Sequence, residues 1–290
     1  MQLILQLVFG FLFSALIGYV AYRRQSLSGS GVLGAILTGT IIFGLGGLAW
    51  GVLLIVFFIS SSALSHYKES LKESLAEKFS KGGRRDLTQT FANGGAGALI
   101  VIANLVWPHP VWWAAFAGAM ATVNADTWAT ELGVLSRARP RLITTGREVE
   151  AGTSGGVSRM GTGAALAGAA VIALFAAGAN LLGAIFGGAP GSAPAPLAIA
   201  AVVVALLVFT TSAGLLGSLF DSLLGASVQA IYYCDACGKE TERYPAHKCG
   251  GPTRPLRGWR WLDNDWVNFL SSVLGAAVAA GAWLALMGWR

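Results

Sequence analysis

The chain has 290 residues, of which 54% are hydrophobic and only 12% are charged. Because roughly one-quarter of the residues of a soluble domain are charged, this composition excludes an ordinary soluble protein and indicates a membrane protein. The formal net charge of +6 comes from basic residues dispersed among the loops between apolar segments. That distribution argues against a nucleic-acid-binding surface, so no nucleic-acid partner is expected.

Apolar stretches of about 20 residues, the length that a helix needs to cross a bilayer, recur along the chain. They predict an all-α fold, a polytopic membrane helix bundle of about eight transmembrane helices in a single integral membrane domain (1–290). The first apolar segment has no basic region before it and runs straight to Arg23 and Arg24, which indicates a span and not a cleavable signal peptide. Glycines at 44, 46 and 47, at the end of the second span, mark either a tight turn or a kink and make the second and third spans the least certain. The predicted spans are 2–22, 31–48, 50–65, 91–107, 111–130, 161–187, 196–224 and 266–287.

The basic residues are concentrated in alternate connections between these spans. Nineteen of the 20 Lys and Arg residues lie at 23–24 or in three longer loops, and the positive-inside rule places such loops in the cytoplasm. The sequence therefore predicts cytoplasmic loops at 66–90 and 131–160, a cytoplasmic Cys/His-containing loop at 231–265, and both termini on the outer side.

The first long loop begins with Lys and Glu residues at i,i+4 spacing, which is typical of a solvated helix. It ends in the motif "GGRRD", where glycines let the backbone approach a phosphate and the cations Arg84 and Arg85 neutralise it. Asn93 follows at the mouth of the next span. It is either a polar group of the same site or a helix start signal.

Asp126 and Glu131 lie in the motif "NADTWATELG", at the end of an apolar run. Acids at membrane depth usually face a polar cavity, a partner or an ion, because an isolated carboxylate in hydrocarbon is costly. On an ideal helix the two acids are about 140° apart, so they can hold one cation only if other helices contribute or this helix end unwinds. The alternative is that they pair with arginines at the interface.

The loop 131–160 is rich in arginine and contains the turn "GTSGG" at 152–156. Such a turn can present successive N–H groups to an anion, and the helix after it adds its positive end. The pattern matches neither the Walker spacing nor the dinucleotide fingerprint, and a glycine-rich turn before a span is also a common structural feature. Together with carboxylates for a divalent metal, however, these are the groups that phosphoryl transfer uses.

Two further acids lie at span ends. Asp221 stands in an otherwise apolar helix and either joins Asp126 and Glu131 around a second metal ion or binds a neighbour for packing. Asp265 precedes the final span beside Asn264, among tryptophans that are expected at a membrane interface. This acidic cluster either complements the helix dipole or contributes to a shared metal and phosphate site.

All three cysteines lie in the last loop, as Cys234, Cys237 and Cys249, with His247 two residues before the last. This spacing fits a small Cys3His zinc knuckle, and the predicted cytoplasmic side disfavours a structural disulfide. Four such ligands fill a tetrahedron and leave no open position, so the predicted Zn²⁺ is structural.

Together these residues resemble the membrane phytyl-phosphate kinases of plastids and cyanobacteria, which are related to vertebrate transmembrane protein 19. The likeness rests on "GRRDLTQTFANGG", "NADTWATELG", "PRLITT", "GTSGGVS", "GLLGSLFDSLLGA", "CDACG" and "WLDNDWVN", between about 85 and 268. It implies transfer of a phosphoryl group from a nucleoside triphosphate, with CTP favoured, to an isoprenyl monophosphate. A looser similarity to CTP-dependent polyprenol and phytol kinases covers the stretch from Thr145 to Gly155, with Arg147 where a lysine is expected.

The combined prediction is a kinase site on the cytoplasmic face that uses membrane-bound lipid as acceptor. Its expected catalytic residues are Asp126, Glu131, Arg85 and Asn93. Catalytic Mg²⁺ is expected at Asp126, Glu131, Asp221 and Asp265. The expected nucleotide and phosphate contacts are Arg84, Thr144, Thr145, Arg147, Gly152, Thr153, Gly155, Gly156, Ser158, Arg159, Asn264 and Asn268.

Three other functions are open at this point. Within enzymology they are a kinase of free prenols and a cytidylyltransferase that attaches CMP to a lipid phosphate. The third is an ion-coupled transporter, in which buried acids bind the coupling ion. Transporter sites usually lie near the bilayer midplane, whereas the polar residues here cluster at one predicted face.

Overall fold

The computed structural model describes residues 1–68, 84–186 and 196–288. The predicted solvated helix after residue 68, the glycines of the "GGRRD" motif and the link 187–195 lie outside these ranges. The described residues form eight long helices, which confirms the all-α membrane bundle. The helices are α1 (Gln2–Arg23), α2 (Gly29–Ile41), α3 (Leu48–His66), α4 (Leu87–Val106), α5 (Pro110–Gly133), α6 (Arg159–Phe186), α7 (Pro196–Ser227) and α8 (Asn264–Met287).

The glycine-rich stretch between the second and third predicted spans is a turn. α2 continues into one π-helical turn, Ile42–Gly46, and Gly47 then adopts φ +83° before α3 begins. A positive φ is tolerated best by glycine, which explains why the reversal occurs at this residue.

The described parts of the long charged connections lie at the same end of the bundle, which we call the loop end. The segment after α1 is tied to the segment before α4, because Ser28 N donates to Arg85 O (2.9 Å) and Arg85 N donates to Ser26 O (3.0 Å). The end of α3 meets the end of α5, where the Ser65 hydroxyl donates to Glu131 at 2.6 Å. The alternation of charged and uncharged connections therefore reflects an antiparallel bundle, with both termini at the opposite end.

α5 lies at the centre of the bundle and packs against α3, α4, α6, α7 and α8. Its small residues allow this enclosure: a Cβ at Gly118 would overlap Gly275 of α8. Among the described residues seven helices are long and apolar enough to cross a membrane, and α5 is the eighth helix that does not meet this criterion. Its polar residues are shielded from lipid by five neighbouring helices, as is usual for polar groups at membrane depth.

α1 and α2 form the outer part of the bundle. α1 packs on α2 and on the π-helical turn, and α2 packs on α4. Large apolar side chains of α1 such as Phe9 and Leu16 are exposed, 72% and 58% respectively, as expected of a lipid-facing helix.

The loops contain short antiparallel strands that the sequence analysis did not predict. β1 (Arg141–Leu142) pairs with β2 (Gly156–Val157), which closes the loop between α5 and α6. In the Cys/His loop, β3 (Ile231–Cys234) is the central strand of a three-stranded sheet, between β4 (Lys239–Thr241) and β5 (Thr253–Arg257).

Candidate functional site

A cavity of about 280 Å³ opens where the loop ends of α3 to α8 meet. We call it the polar cavity, because its lining combines acids, amides, hydroxyls and glycine backbone. It brings together twelve of the residues that the sequence analysis singled out. They are Arg85, Asn93, Asp126, Glu131, Gly152, Thr153, Gly155, Gly156, Ser158, Asp221, Asn264 and Asn268.

Six other candidates do not line this cavity. Thr144, Thr145 and Arg147 belong to an exposed turn, and Arg159 is exposed at the first residue of α6. Asp265 is half-buried in the first turn of α8. The sixth candidate, Arg84, donates from its guanidinium to Leu27 O at 3.2 to 3.3 Å and lies over the Tyr22 ring.

Arg85 is held in the cavity wall by backbone and side-chain contacts. The Asp86 carboxylate accepts a hydrogen bond from Gln89 N (2.9 Å) and caps α4, so the residue before it cannot shift. The Arg85 guanidinium donates to Ser62 Oγ at 3.2 Å. Burial lowers the pKa of Arg85, and the nearby charge of Glu131 opposes this decrease. A half-buried cation beside one carboxylate is suited to bind an anion in the cavity.

The two acids of α5 point to different partners, as their helical spacing predicted. Glu131 accepts a hydrogen bond from Ser65 and lies near Arg85, whereas Asp126 lies close enough to Asp221 of α7 for their charges to interact. The acids therefore do not form a pair on one helix. Each combines with a residue from another helix instead.

The Asp126–Asp221 pair fits a divalent cation. Asp221 Oδ2 is buried and has no hydrogen-bond partner among the described residues, and the Asp126 carboxyl group lines the same cavity. Two ionised carboxylates that lie close together repel each other unless a proton or a cation lies between them. Carboxylate oxygens are the ligands that Mg²⁺ takes from proteins, with waters and phosphates completing its shell.

Asn124 of the same motif has a structural position outside the cavity. It is fully buried; its Oδ1 accepts from Ser60 Oγ of α3 at 2.9 Å, and its Nδ2 donates to Gly168 O of α6 at 2.8 Å. Asn124 therefore connects three helices beneath the cavity floor.

The glycine turn at 152–156 forms one wall of the cavity. Gly152 and Gly155 adopt φ +76° and +82°, and a Cβ at Gly155 would overlap the backbone of Ala226 in α7. Ser158 then accepts a hydrogen bond from Gly161 N (3.0 Å) and caps α6. Because Gly161 also lines the cavity, the positive N-terminal end of α6 faces the space in which an anion would lie.

The Cys/His loop contributes one wall that sequence reasoning missed. Glu242 lines the cavity just after β4, and its Oε1 accepts from Gln229 Nε2 at 2.9 Å. Gln229 in turn accepts from the Ser154 hydroxyl at 2.7 Å, and Arg257 donates to Gly225 O at 2.6 Å. The loop is thereby attached to the glycine turn. Ser65 and Gln89 also line the cavity, and only their positions at helix ends could have indicated it.

The four predicted zinc ligands come together. One donor atom from each of Cys234, Cys237, His247 and Cys249 lies within 4.8 Å of the others. The Cys234 and Cys249 sulfurs are 3.7 Å apart, close to the edge of about 3.8 Å that a tetrahedron with 2.3 Å Zn–S bonds requires. The hydrogen bond between His247 and Cys249 lowers the pKa of Cys249 to about 6, which favours the thiolate that a metal binds, whereas the hydrogen bond to Cys249 raises the pKa of Cys237 to about 12. The cluster is compatible with a metal site.

Comparison with known proteins gives a family and several relatives. Residues 12–276 match a family described as "Integral membrane protein DUF92". Protein PGR of Arabidopsis thaliana is 37% identical over 284 residues, 93% of each chain. Uncharacterized membrane protein MJ0933 of Methanocaldococcus jannaschii is 30% identical over 228 residues, 78% of this chain and 84% of that one. Protein VTE6, chloroplastic, of Arabidopsis thaliana is 26% identical over 261 residues, 87% of this chain and 64% of that one. No solved structure matches.

Proposed function

This chain belongs to the DUF92 family of integral membrane proteins, and on that premise we propose that it is a phosphotransferase that acts at one face of the membrane. The match confirms the family assignment drawn from the motifs. The proposed reaction transfers the γ-phosphoryl group of a nucleoside triphosphate to an isoprenyl monophosphate of the phytyl type. CTP is the favoured donor.

One observation carries the proposal: three half-buried acids, a half-buried arginine and a glycine turn converge on the polar cavity. Asp126 and Asp221 supply oxygen ligands, Arg85 supplies positive charge beside Glu131, and the turn supplies backbone N–H groups. These are the groups that phosphoryl transfer requires, because its transition state needs positioning and charge neutralisation more than covalent chemistry.

The acceptor needs no dedicated general base. A phosphomonoester has a second pKa near 6, so at neutral pH it is mostly a dianion whose oxygen can attack directly. The attacking oxygen forms the new bond to the γ-phosphorus while the bond from that phosphorus to the β-phosphate oxygen breaks. The products are a prenyl diphosphate and a nucleoside diphosphate. Repulsion between the two anions is the main barrier, and the site lowers this barrier by neutralising their charge.

The residues divide this work by position. Arg85, steadied by Ser62 and Glu131, neutralises one phosphate, and Asn93 contributes an amide beside it. The glycine turn and the N-terminus of α6 bind the nucleotide phosphates. Mg²⁺ held by Asp126 and Asp221 would supply further neutralisation between the two substrates.

The cations outside the cavity have a more distant role. Arg84, Arg147 and Arg159 attract a polyanionic nucleotide toward the loop end without contacting it in the cavity. We place this end in the cytoplasm, because the basic loops lie there under the positive-inside rule and nucleoside triphosphates are used there. Zn²⁺ at the Cys/His cluster would have a structural role, because it would keep the wall that carries Glu242 in place.

The proposal is tested with purified protein in detergent, Mg²⁺, each of the four nucleoside triphosphates and a panel of acceptors. Isoprenyl monophosphates are expected to yield prenyl diphosphate and nucleoside diphosphate, fastest with CTP. Turnover of free prenols alone indicates a prenol kinase, and release of pyrophosphate with a CMP-lipid indicates a cytidylyltransferase. If no acceptor is turned over, and the isoprenyl monophosphate is taken up into proteoliposomes without nucleotide, the protein is a transporter and not an enzyme.

A further inference from the structure

A second, apolar groove meets the polar cavity at Arg85 and Asn93, which line both. The groove lies between the α1–α2 pair on one side and α3 and α4 on the other. We propose that this groove, which we call the tail groove, binds the first isoprene units of the acceptor chain while its phosphate lies in the polar cavity. The assignment rests on the proposed function, because it names where that reaction holds its lipid substrate.

The lining of the tail groove is mostly apolar beyond Arg85. Its walls are mainly Ile17, Ala35, Phe43, Leu54, Phe57 and Phe58, and Ser14, Thr38 and Thr90 are the hydroxyl-bearing residues among them. An amphiphile with an anionic head and a hydrocarbon chain matches this sequence of environments, because the head keeps its charge partners and the chain is removed from water.

Arg85 forms the boundary between the two environments. Its guanidinium carbon lies 5.7 Å and 5.9 Å from the ring centroids of Phe57 and Phe58, which line the groove. On the other side the same guanidinium experiences the charge of Glu131 and donates to Ser62. A phosphate that binds Arg85 therefore has the start of the apolar groove directly beside it.

The depth of the groove suits a short length of chain. Leu54 and Ser62 are two turns apart on α3, which places Leu54 roughly 12 Å deeper than the contact of Arg85. Phe43, on the π-helical turn, lines the far part of the groove. The groove is narrow, about 60 Å³. However, α3 packs on the α1–α2 pair mainly through the π-helical turn, so widening it disturbs few helix contacts.

This continuity favours the acceptor chain over a bilayer lipid as the occupant. A phospholipid tail needs no access to Arg85 or Asn93, whereas the chain of a phosphorylated acceptor must begin beside them. Chain length should therefore affect the reaction until the groove is filled, since each methylene group that fills an apolar pocket contributes to discrimination between substrates.

The test compares two tryptophan substitutions on α2. Ala35→Trp places bulk inside the tail groove, and Leu37→Trp places the same bulk on a side chain that is 44% exposed and does not line it. Wild type and both variants are assayed for kcat and KM with dimethylallyl, geranyl and geranylgeranyl monophosphate at saturating CTP. Ile17→Trp, on the α1 wall, replaces the first variant if Ala35→Trp is not monodisperse.

In the wild type, kcat/KM should rise with chain length. Ala35→Trp should remove this rise and lower kcat/KM for geranylgeranyl monophosphate by about tenfold or more, the effect of altered packing in an apolar pocket, with a smaller loss for dimethylallyl monophosphate. Leu37→Trp should behave like wild type. Equal losses at every chain length, or an unchanged length dependence in Ala35→Trp, overturn the assignment.

A binding experiment separates this proposal from the proposed function. A geranyl monophosphate with a diazirine at the end of its chain is photolysed with the protein, and the labelled peptides are identified by mass spectrometry. Labelling of α2 and α3 peptides that line the groove, blocked by Ala35→Trp, supports the site even if no acceptor is phosphorylated. Labelling confined to lipid-exposed peptides overturns it even if the kinase activity is found.

Discussion

Asp126 and Asp221 come from two helices and share one end of the polar cavity, so their removal is the most direct test of the metal assignment. Asp126→Asn and Asp221→Asn keep the shape of each side chain but remove its charge. Each should lower kcat by roughly 10²-fold or more, as expected for loss of electrostatic stabilisation in a transition state, and raise the Mg²⁺ concentration required. The readouts are steady-state kinetics over a Mg²⁺ titration.

The matched control is Asp235→Asn. Asp235 is exposed and pairs with Arg254 at 3.2 Å on the surface of the Cys/His loop. Its loss should leave turnover unchanged, because surface ion pairs contribute little. If Asp126→Asn is as active as this control, Asp126 is not a metal ligand.

Arg85 and Arg84 are neighbours with opposite environments, which makes them a second matched pair. Arg85→Lys keeps the charge but loses the planar fork that contacts Ser62 and, in the proposed reaction, binds a phosphate. We expect its kcat/KM to fall at least about tenfold, the equivalent of about 1.4 kcal/mol. Arg84→Lys should remain near wild type, because Arg84 points to Leu27 and Tyr22. An equal fall in kcat/KM in both variants would show that Arg85 has no special role.

Asn124 offers a prediction about stability instead of activity. Asn124→Ala removes two buried hydrogen bonds that connect α5 to α3 and α6. It should destabilise the protein by about 1 kcal/mol, visible as a lower Tm in detergent, while KM for the nucleotide stays unchanged. A normal Tm with abolished turnover would instead place Asn124 in the site.

At the scale of elements, the glycine turn depends on backbone conformations that other residues rarely adopt. Gly155→Ala meets both a strained φ of +82° and an overlap with Ala226, so it should raise KM for the nucleotide severalfold and lower Tm. Gly146→Ala has a comparable φ of +69° with open space around it, away from the cavity. It is the control for backbone strain alone, and nucleotide binding should survive in it.

Elements were predictable from sequence where one local signal decides them. Apolar length located the spans, although α4 starts at Leu87, earlier than the predicted residue 91, because Asp86 and Gln89 form a capping box. The strands β1 to β5 were missed because they are two to five residues long and carry no clear alternation. Their pairing depends on contacts made elsewhere in the loop.

At the scale of the whole molecule, the loop that carries the Cys/His cluster is attached to the polar cavity through the contacts of Gln229 with Glu242 and Ser154. If zinc is bound, the purified protein should contain about one equivalent by elemental analysis. Cys249→Ser should lose it, lower Tm, and raise KM for the nucleotide because Glu242 and the glycine turn lose their support. Lys248→Ser, at the exposed adjacent position, is the control. Full activity in a zinc-free variant would show that the site does not depend on the metal-bound loop.

The gathering of site residues at one end of the bundle was predictable, but their partners were not. Alternating charged connections place Arg85, Asp126 and Asp221 at the same end of an antiparallel bundle. Hydropathy does not specify which helices are neighbours, so the pairing of Asp126 with Asp221, or the entry of Glu242 from another loop, could not be derived. Such contacts depend on the three-dimensional packing around α5.

The central position of α5 also affects how the protein is made. The ribosome releases α5 before α6, α7 and α8, yet these later helices form much of its cover, and alone it is less suited to lipid than the seven other helices. A nascent chain truncated near residue 160 should therefore fail to retain α5 in the bilayer, in a glycosylation-site mapping experiment, whereas the full-length chain retains it. Biogenesis would then involve delayed integration, in which α5 becomes stable in the bilayer only after α6, α7 and α8 have been made.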